Sequence, residues 1–295
     1  MKVAGVALSN PDRVLYPAQG ITKQELAAYY EAIAPVMLPH VTGRPLVLVR
    51  CPEGQRKQCF YQKHWSAGLP EALDTVDIEE ASGKVRLYVT LDDAAGLVSL
   101  IQHGVLEIHV WGARADHVDL PDRIVFDLDP GPGVTWRRVI EGARELKERL
   151  DALQLDTWLK TSGGKGVHVV LPIARRSTWD DVTAFARAMA YGMASDSPKK
   201  YIAKASKAAR KGLIFVDWMR NTRGATAVAP WSTRARPEAP IAVPVDWDAI
   251  DELKSGDQFQ FASIPELVRK RQRDPWADLP KSRQRLTRSM LARLV

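Results

Sequence analysis

The tripeptide Asp127-Leu128-Asp129 restricts what this chain can fold into more than any other stretch of its 295 residues. It follows the run Arg123-Ile124-Val125-Phe126 and precedes Pro130-Gly131-Pro132-Gly133. The run predicts a buried strand, and the Pro/Gly cluster predicts its end. Side chains at i and i+2 of a strand point to one face. Both carboxylates are therefore expected to project together from one edge of a sheet, with Leu128 facing the other way. Two carboxylates ~4 Å apart repel by ~4 kcal/mol at an effective dielectric of ~20. A fold keeps such a pair if positive charge sits between them or if one is protonated. A divalent metal ion is the usual solution, because hard cations take carboxylate oxygens.

Two other readings fit the tripeptide taken alone. An Asp near a turn often does no more than end a strand. Phosphohydrolases with an aspartyl nucleophile also carry Asp-x-Asp after an apolar strand. Those enzymes usually continue with Thr or Val, whereas Pro130 and Gly131 stand here.

Composition bounds the rest. The chain is 45% hydrophobic and 26% charged, the balance of a globular protein with a sizeable core. The apolar part of its N-terminus is too short for a secretory signal, and no apolar run approaches transmembrane length. It reads as a cytoplasmic protein with no membrane partner. Cys51 and Cys59 make no zinc pattern and no disulfide framework, and read as free thiols. Of the net charge of +7, all lies in residues 269–295, which hold nine Lys/Arg against two Asp. A second basic cluster, Lys199, Lys200, Lys204, Lys207, Arg210 and Lys211, contains no acid. Four of those lysines are spaced for one helical face, where like charges repel unless phosphates offset them. Both clusters point to a polyanion such as nucleic acid, or else to solvated faces.

Strands and helices alternate without a regular βα repeat. Thr22-Lys23-Gln24-Glu25 has the form of a capping box and opens a helix to about Leu38, closed by Pro39 and Gly43. Strands are expected at 45–50, 85–90, 106–111, 157–160, 167–171 and 212–217, with helices at 92–102, 136–150 and 179–194. A basic helix should follow near 199–211, and residues 247–295 read as mostly helical. The pattern predicts an α+β class and one compact catalytic domain over residues 1–295, with the basic segment 265–295 as part of it.

A second chemical signal is Ser162-Gly163-Gly164-Lys165-Gly166-Val167-His168. Three glycines let backbone N–H groups turn inward and approach a ligand closely. Lys165 adds charge, and Ser162 and His168 add donors. The segment suits a triphosphate, although it is not a Walker A loop; a glycine-rich hairpin with an incidental lysine is the alternative. Asp217 ends the apolar run Leu213 to Val216 and is a third carboxylate. Converging with Asp127 and Asp129, it would build a site for two divalent ions, which catalyse in-line displacement at phosphorus. Arg220 and Arg234 are candidate phosphate contacts. His109 lies just upstream of the acid pair and is a candidate for its face.

Asp-x-Asp, then Ser-Gly-Gly-x-Gly-x-His, then a strand-terminal Asp resembles the three motifs of the archaeo-eukaryotic primase superfamily. More narrowly, the chain resembles the polymerase domain of bacterial DNA ligase D. Supporting segments are 10–17, Arg50-Cys51-Pro52, Phe60-Tyr61-Gln62-Lys63-His64, Leu106 to Gly112, and Pro230 to Arg236. The resemblance implies a primase-polymerase fold: two packed mixed or antiparallel sheets, an RNA-recognition-like palm, and flanking helices. It implies a template-dependent nucleotidyltransferase that fills gaps and extends primers at broken DNA ends, with a preference for ribonucleotides and with two Mn2+ (or Mg2+) ions per site. Asp127 and Asp129 would bind both ions and Asp217 one. Ser162, Gly163, Gly164, Lys165, Gly166, His168 and Arg234 would hold the NTP or dNTP, with His109 and Arg220 nearby. Arg13 and Lys23 resemble residues that grip a downstream 5′-phosphate; Phe60 and Tyr61 would stack on template bases, with Lys63 beside them. Ku and a ligase module are the implied partners, with a bacterial, nucleoid-associated location. No Lys-x-Asp-Gly ligase signature occurs in the chain. Phosphohydrolase activity and a non-catalytic DNA-binding role remain the competing readings.

Overall fold

The computed structural model describes the whole chain except residues 66–67, 265–266, 268–272, 288 and 291–295. The described residues form two compact units, each assembled from separate stretches of sequence. The first takes Met1–Val118, Val228–Ala242 and Phe259–Lys270; the second takes Asp119–Ala227, Val243–Gln258 and Arg271–Val295. Such threading leaves no linker of distinct composition, which is why the sequence reads as one domain.

In the first unit, strands Val105–Trp111, Leu46–Arg50 and Phe60–Gln62 pair antiparallel in that order. Helix Lys23–Val41 packs on helix Ala94–Gln102. The capping box forms as expected: Glu25 N–H donates to Thr22 Oγ1 at 3.2 Å, and Thr22 N–H donates to Glu25 Oε2 at 2.8 Å. Leu26, Tyr30, Ile33, Met37 and Val41 make its buried stripe. Pro39 does not close this helix, which runs on to Val41 and is capped by Thr42 N–H donating to Leu38 O at 2.9 Å. Proline removes a donor without removing the carbonyl ahead of it, so the last turn survives.

Cys51 and Cys59 are not free thiols; they form a disulfide. Arg50 pairs with Phe60 across neighbouring antiparallel strands, so the residues just beyond that pair are brought opposite one another. Spacing in sequence could not show this pairing.

The second unit is built on a six-stranded sheet in the order Tyr201–Ile202, Ile214–Asp217, Arg123–Pro130, Val167–Pro172, Trp158–Thr161, Pro244–Val245. All neighbours are antiparallel except the first pair, so the sheet is mixed. The acid-bearing strand ends at the Pro/Gly cluster, as expected, and is an interior strand of the sheet. It runs to Pro130 between two partners, Val167–Pro172 on one side and Ile214–Asp217 on the other. One face carries Leu128 and Ile214, and helix Trp136–Asp151 covers it: a Cβ on Gly142 would touch Ile214 and Tyr201 at 3.2–3.3 Å. On the opposite face Val125 and Val170 are cross-strand partners, as are Val170 and Trp158, and Trp276 and Leu279 cover them. The apolar cover on that face thus lies one row below the carboxylates.

Two helical expectations fail. Residues 199–211 form no basic helix: Tyr201–Ile202 is a strand, followed by a single 3-10 turn at Ala208–Arg210. Unrelieved like charge at helical spacing disfavours the helix, and pairing with Ile214–Phe215 takes the strand instead. Residues 273–287 are likewise not helical; their one regular element is a 3-10 turn at Leu279–Lys281. Trp276 anchors this stretch, its Nε1–H donating to Leu159 O at 2.9 Å. Much of the rest of the basic tail lies outside the described residues.

Asn221 completes the acid strand where its neighbour ends. Ile214–Asp217 pairs only as far as Asp127. Beyond it, Val125 N–H donates to Asn221 Oδ1 at 2.7 Å, and Asn221 Nδ2–H donates to Val125 O at 2.8 Å. Replacing Asn221 by Leu leaves both buried backbone groups unpaired, an expected loss of about 2–4 kcal/mol. Urea unfolding of Asn221→Leu against wild type checks it; a change near zero would show that the side chain is dispensable.

Candidate active site

Four polar side chains form one row across four strands of the second unit. Lys160 pairs with His168, His168 with Asp127, and Asp127 with Asp217. Cross-strand partners share a face, so a lysine, a histidine and two carboxylates stand side by side. Asp129, two residues along from Asp127, projects on the same face. The sheet therefore brings together the three acids that lie far apart in sequence.

Positive groups hold them. Arg220 reaches Asp127 Oδ2 with Nη2 and Asp217 Oδ2 with Nε, both at 3.2 Å. Its short 3-10 segment Met219–Asn221 begins two residues after Asp217, which places the guanidinium between the two carboxylates. Arg210 reaches Asp129 Oδ2 with Nη1 at 2.9 Å and lies on the Phe215 ring at 3.8 Å. His168 Nε2 lies 3.5 Å from Asp127 Oδ1. Neither Lys160 nor Arg210 was singled out from the sequence for this site. Register alone would have found Lys160, since the strands on either side of the glycine turn form a hairpin; Arg210 stood hidden in a run of basic residues.

The charge states follow from these neighbours. Burial raises the Asp127 carboxyl, but His168, Arg220 and Lys160 outweigh it and hold the group well below the usual carboxylate range. Asp129 is raised by burial and by the charge of Asp127, with Arg210 and Lys165 opposing. Burial also raises Asp217; Arg220 lowers it and Asp127 raises it further. His168 is pushed down to about 4 by burial and by Lys160, so it is neutral at pH 7. Two acids are thus under pressure from burial and a neighbouring anion, the pressure that a hard divalent cation relieves. Three carboxylates on one face are the donor set such an ion takes, and in this respect the residues fit. Among the described residues no three such side chains stand in ligating geometry, and Arg220 lies between Asp127 and Asp217.

The glycine segment is the turn that joins strands Trp158–Thr161 and Val167–Pro172. Gly164 and Gly166 N–H both donate to Ser162 Oγ at 3.2 Å, and Ser162 N–H donates to Gly166 O at 3.1 Å. The inward-turned amides thus converge, with Ser162 as their acceptor in this arrangement. Gly166 lies against the carbonyl of Leu128 so closely that a Cβ would overlap it. The turn therefore rests directly on the strand of the acid pair.

The other candidates belong to the first unit. His109 lies on Val105–Trp111, in a different sheet from the acids, and does not share their face. Its Nε2 is 2.8 Å from Glu107 Oε2, and Arg234 Nε is 3.1 Å from the same oxygen. Ala235 N–H donates to Glu107 Oε1 at 2.8 Å. Glu107 is buried, which raises its carboxyl, but His109 and Arg234 hold it well below the usual range. It was missed as a site residue, although its i, i+2 spacing from His109 signals the pairing. Phe60 and Tyr61 are exposed, with relative areas of 43% and 70%, and Lys63 is exposed beside them. Lys23 is buried, its Nζ donating to Ser9 O at 2.8 Å; Arg13 Nη1 donates to Pro52 O at 3.0 Å.

Residues 22–276 match the family model of the LigD primase-polymerase domain. The chain belongs to that family. Over 292 residues it is 38% identical to the multifunctional non-homologous end joining protein LigD of Pseudomonas aeruginosa, covering 99% of this chain and 35% of that protein. Over 247 residues it is 38% identical to the protein of the same description from Mycolicibacterium smegmatis, covering 83% of this chain and 32% of the other. The chain spans about a third of the length of these curated relatives. Its fold matches the solved polymerase domain from Mycobacterium tuberculosis ligase D in complex with DNA, with a TM-score of 0.86 at 31% identity, over 95% of this chain and 99% of that one. The α+β primase-polymerase fold expected from the sequence is therefore the fold of this LigD-family domain. No helix among its described residues is long and apolar enough to cross a membrane.

His168 provides a pH test of the polar row. Its folded value, about 4, lies below the ordinary 6.5. Between those values the unfolded chain binds a proton that the folded chain does not, so stability falls as pH drops through this window. Metal-free unfolding titrations should show a component of up to about 1.4 kcal/mol per pH unit that His168→Gln removes. A slope unchanged by the substitution would contradict the buried, neutral assignment.

Proposed function

We propose that this domain is a template-dependent nucleotidyltransferase, a polymerase that adds nucleotides to primer 3′ ends at gaps and breaks during non-homologous end joining. The observation that carries the reading is the register that sets Asp217 directly opposite Asp127, in the row that His168 continues from the glycine turn. Membership of the LigD primase-polymerase family supports it, as does similarity to a polymerase domain solved with DNA.

Asp127 and Asp129 would hold two divalent ions, Mn2+ or Mg2+, with Asp217 on one of them. Bound there, such ions activate an attacking hydroxyl and offset charge on the leaving phosphate oxygens. The chain's own residues prepare for this. His168, Arg220 and Lys160 keep Asp127 ionised, so the central ligand is ready at neutral pH. Arg220 and Arg210 already lie on the carboxylates and would turn to phosphate oxygens, which guanidinium groups can bind in a bidentate manner. Ser162, Lys165 and the amides of the glycine turn would receive the triphosphate of an NTP or dNTP, Ser162 exchanging its acceptor role for donation to phosphate.

In the first unit, Phe60 and Tyr61 offer exposed rings for base stacking, with Lys63 beside them for the backbone. Arg234, fixed by Glu107, offers a guanidinium for phosphate, and His109 is held by the same carboxylate. Arg13 and Lys23 keep the role the family resemblance implies, contact with a 5′-phosphate on the downstream strand. A preference for ribonucleotides, and partnership with Ku and a ligase module, belong to the same proposal.

Primer extension on gapped DNA carrying a 5′-phosphate, with Mn2+ and nucleotides, tests the reading. Asp127→Ala is expected to lower the rate at least about a thousandfold, since several kcal/mol of transition-state stabilisation depend on bound metal. Extension that survives the substitution removes the two-metal assignment. Template-independent release of phosphate from a monoester would favour the phosphohydrolase instead.

A further inference from the structure

A second glycine contact lies behind the triphosphate turn. Gly256 belongs to the segment Lys254-Ser255-Gly256-Asp257-Gln258. A Cβ at Gly256 would stand 2.5 Å from Gly166 O and 2.8 Å from both Gly164 O and Gly166 N. All three are backbone atoms, so no flexible side chain can yield. The backbone of Gly256 lies outside the left-handed region. Space alone, and not conformation, therefore requires a glycine here.

The turn is itself fixed. Lys254 N–H donates to Gln258 Oε1 at 2.6 Å, and Trp136 Nε1–H donates to Leu253 O at 2.6 Å. Beside the contact is a cavity of about 330 Å³ lined by Pro130, Trp136, Val139, Lys165 and Asp257 among others. On this side the glycine turn rests on a short stretch of backbone rather than on packed side chains. On its other side Gly166 meets Leu128 O. Three backbones are thus stacked: the acid strand, the glycine turn and the Gly256 turn.

We propose that Gly256 is a positioning residue for the incoming nucleotide. Its bare backbone sets the height of Gly164 to Gly166 over the strand of Asp127 and Asp129, and so the place of the triphosphate relative to the carboxylates. This rests on the reading of residues 162–168 as the triphosphate site. A side chain at 256 pushes the turn toward Leu128 or out of register with the acids, and displacements near 1 Å in such a site are costly.

The experiment compares Gly256→Ala, Gly256→Val and Gln258→Ala with wild type. ATP affinity in the presence of Mn2+ is measured by calorimetry, gapped-DNA affinity by fluorescence anisotropy, and folding by thermal melting; the KM for nucleotide and kcat are measured in primer extension. Gly256→Ala is expected to weaken ATP binding about tenfold, to raise the nucleotide KM in step, and to lower kcat as well, because the triphosphate is displaced from the carboxylates. Valine should do more. Gapped-DNA affinity should hold, since the exposed rings and basic groups assigned to DNA lie in the first unit. Gln258→Ala removes one hydrogen bond from the turn and should weaken ATP binding about threefold with melting unchanged. A folded Gly256→Ala protein with ATP affinity within about twofold of wild type overturns the proposal, as does equal weakening of ATP and DNA binding. If Gly256→Ala does not fold, an unchanged nucleotide KM in Gln258→Ala overturns it. A wild-type chain that neither binds ATP nor extends a primer overturns the polymerase reading instead.

Discussion

Electrostatic repulsion among Asp127, Asp129 and Asp217 is the constraint around which the second unit is arranged. Directly opposed like charges weaken an antiparallel pair, yet Asp127 and Asp217 are partners in register. The repulsion is met by an arginine placed between them, by a second arginine on Asp129, and by a buried lysine two strands away. The compensation is uneven. Asp127 stays firmly ionised while Asp129 and Asp217 are raised. An arrangement selected for stability alone would replace such acids with apolar residues, since buried charge networks seldom outperform a packed core. Keeping them makes sense when a cation of higher charge takes the place of the guanidinium groups.

The sheet makes this possible because its supports are apolar or backbone. Trp276 and Leu279 cover the row below the carboxylates, and Asn221 completes the acid strand where its neighbour stops. The glycine turn needs close backbone approach both at Leu128 and at Gly256. Rigidity is thereby obtained without side chains filling the space a nucleotide would need. The histidine at the end of that turn is neutral because burial and the neighbouring Lys160 both disfavour its charged form.

Much of this site was legible in the sequence, for identifiable reasons. The i, i+2 spacing of Asp127 and Asp129 after an apolar run marks a shared strand face, and the glycine cluster before His168 marks a turn between strands. Asp217 was recognisable because it also ends an apolar run. What could not be read was register. A hairpin about the glycine turn hints at Lys160 beside His168, and i, i+2 spacing hints at Glu107 beside His109, but nothing in the sequence says that Glu107 also anchors Arg234 or that Cys51 faces Cys59 across a hairpin. Those facts arise from pairing between segments. Helical spacing also misled at 199–211, where four lysines at i, i+4-like intervals concealed a short strand and a turn. The division into two units was invisible because each is threaded from three stretches of chain.

Anomalous diffraction from crystals grown with Mn2+ and a nucleoside triphosphate tests the carboxylate assignment most directly. The expected map has two manganese peaks bridged by Asp127 and Asp129, one of them also touched by Asp217, with Arg220 turned from the carboxylates toward phosphate. Density showing the triphosphate elsewhere, or no manganese at these acids while Arg220 still joins Asp127 to Asp217, would contradict it.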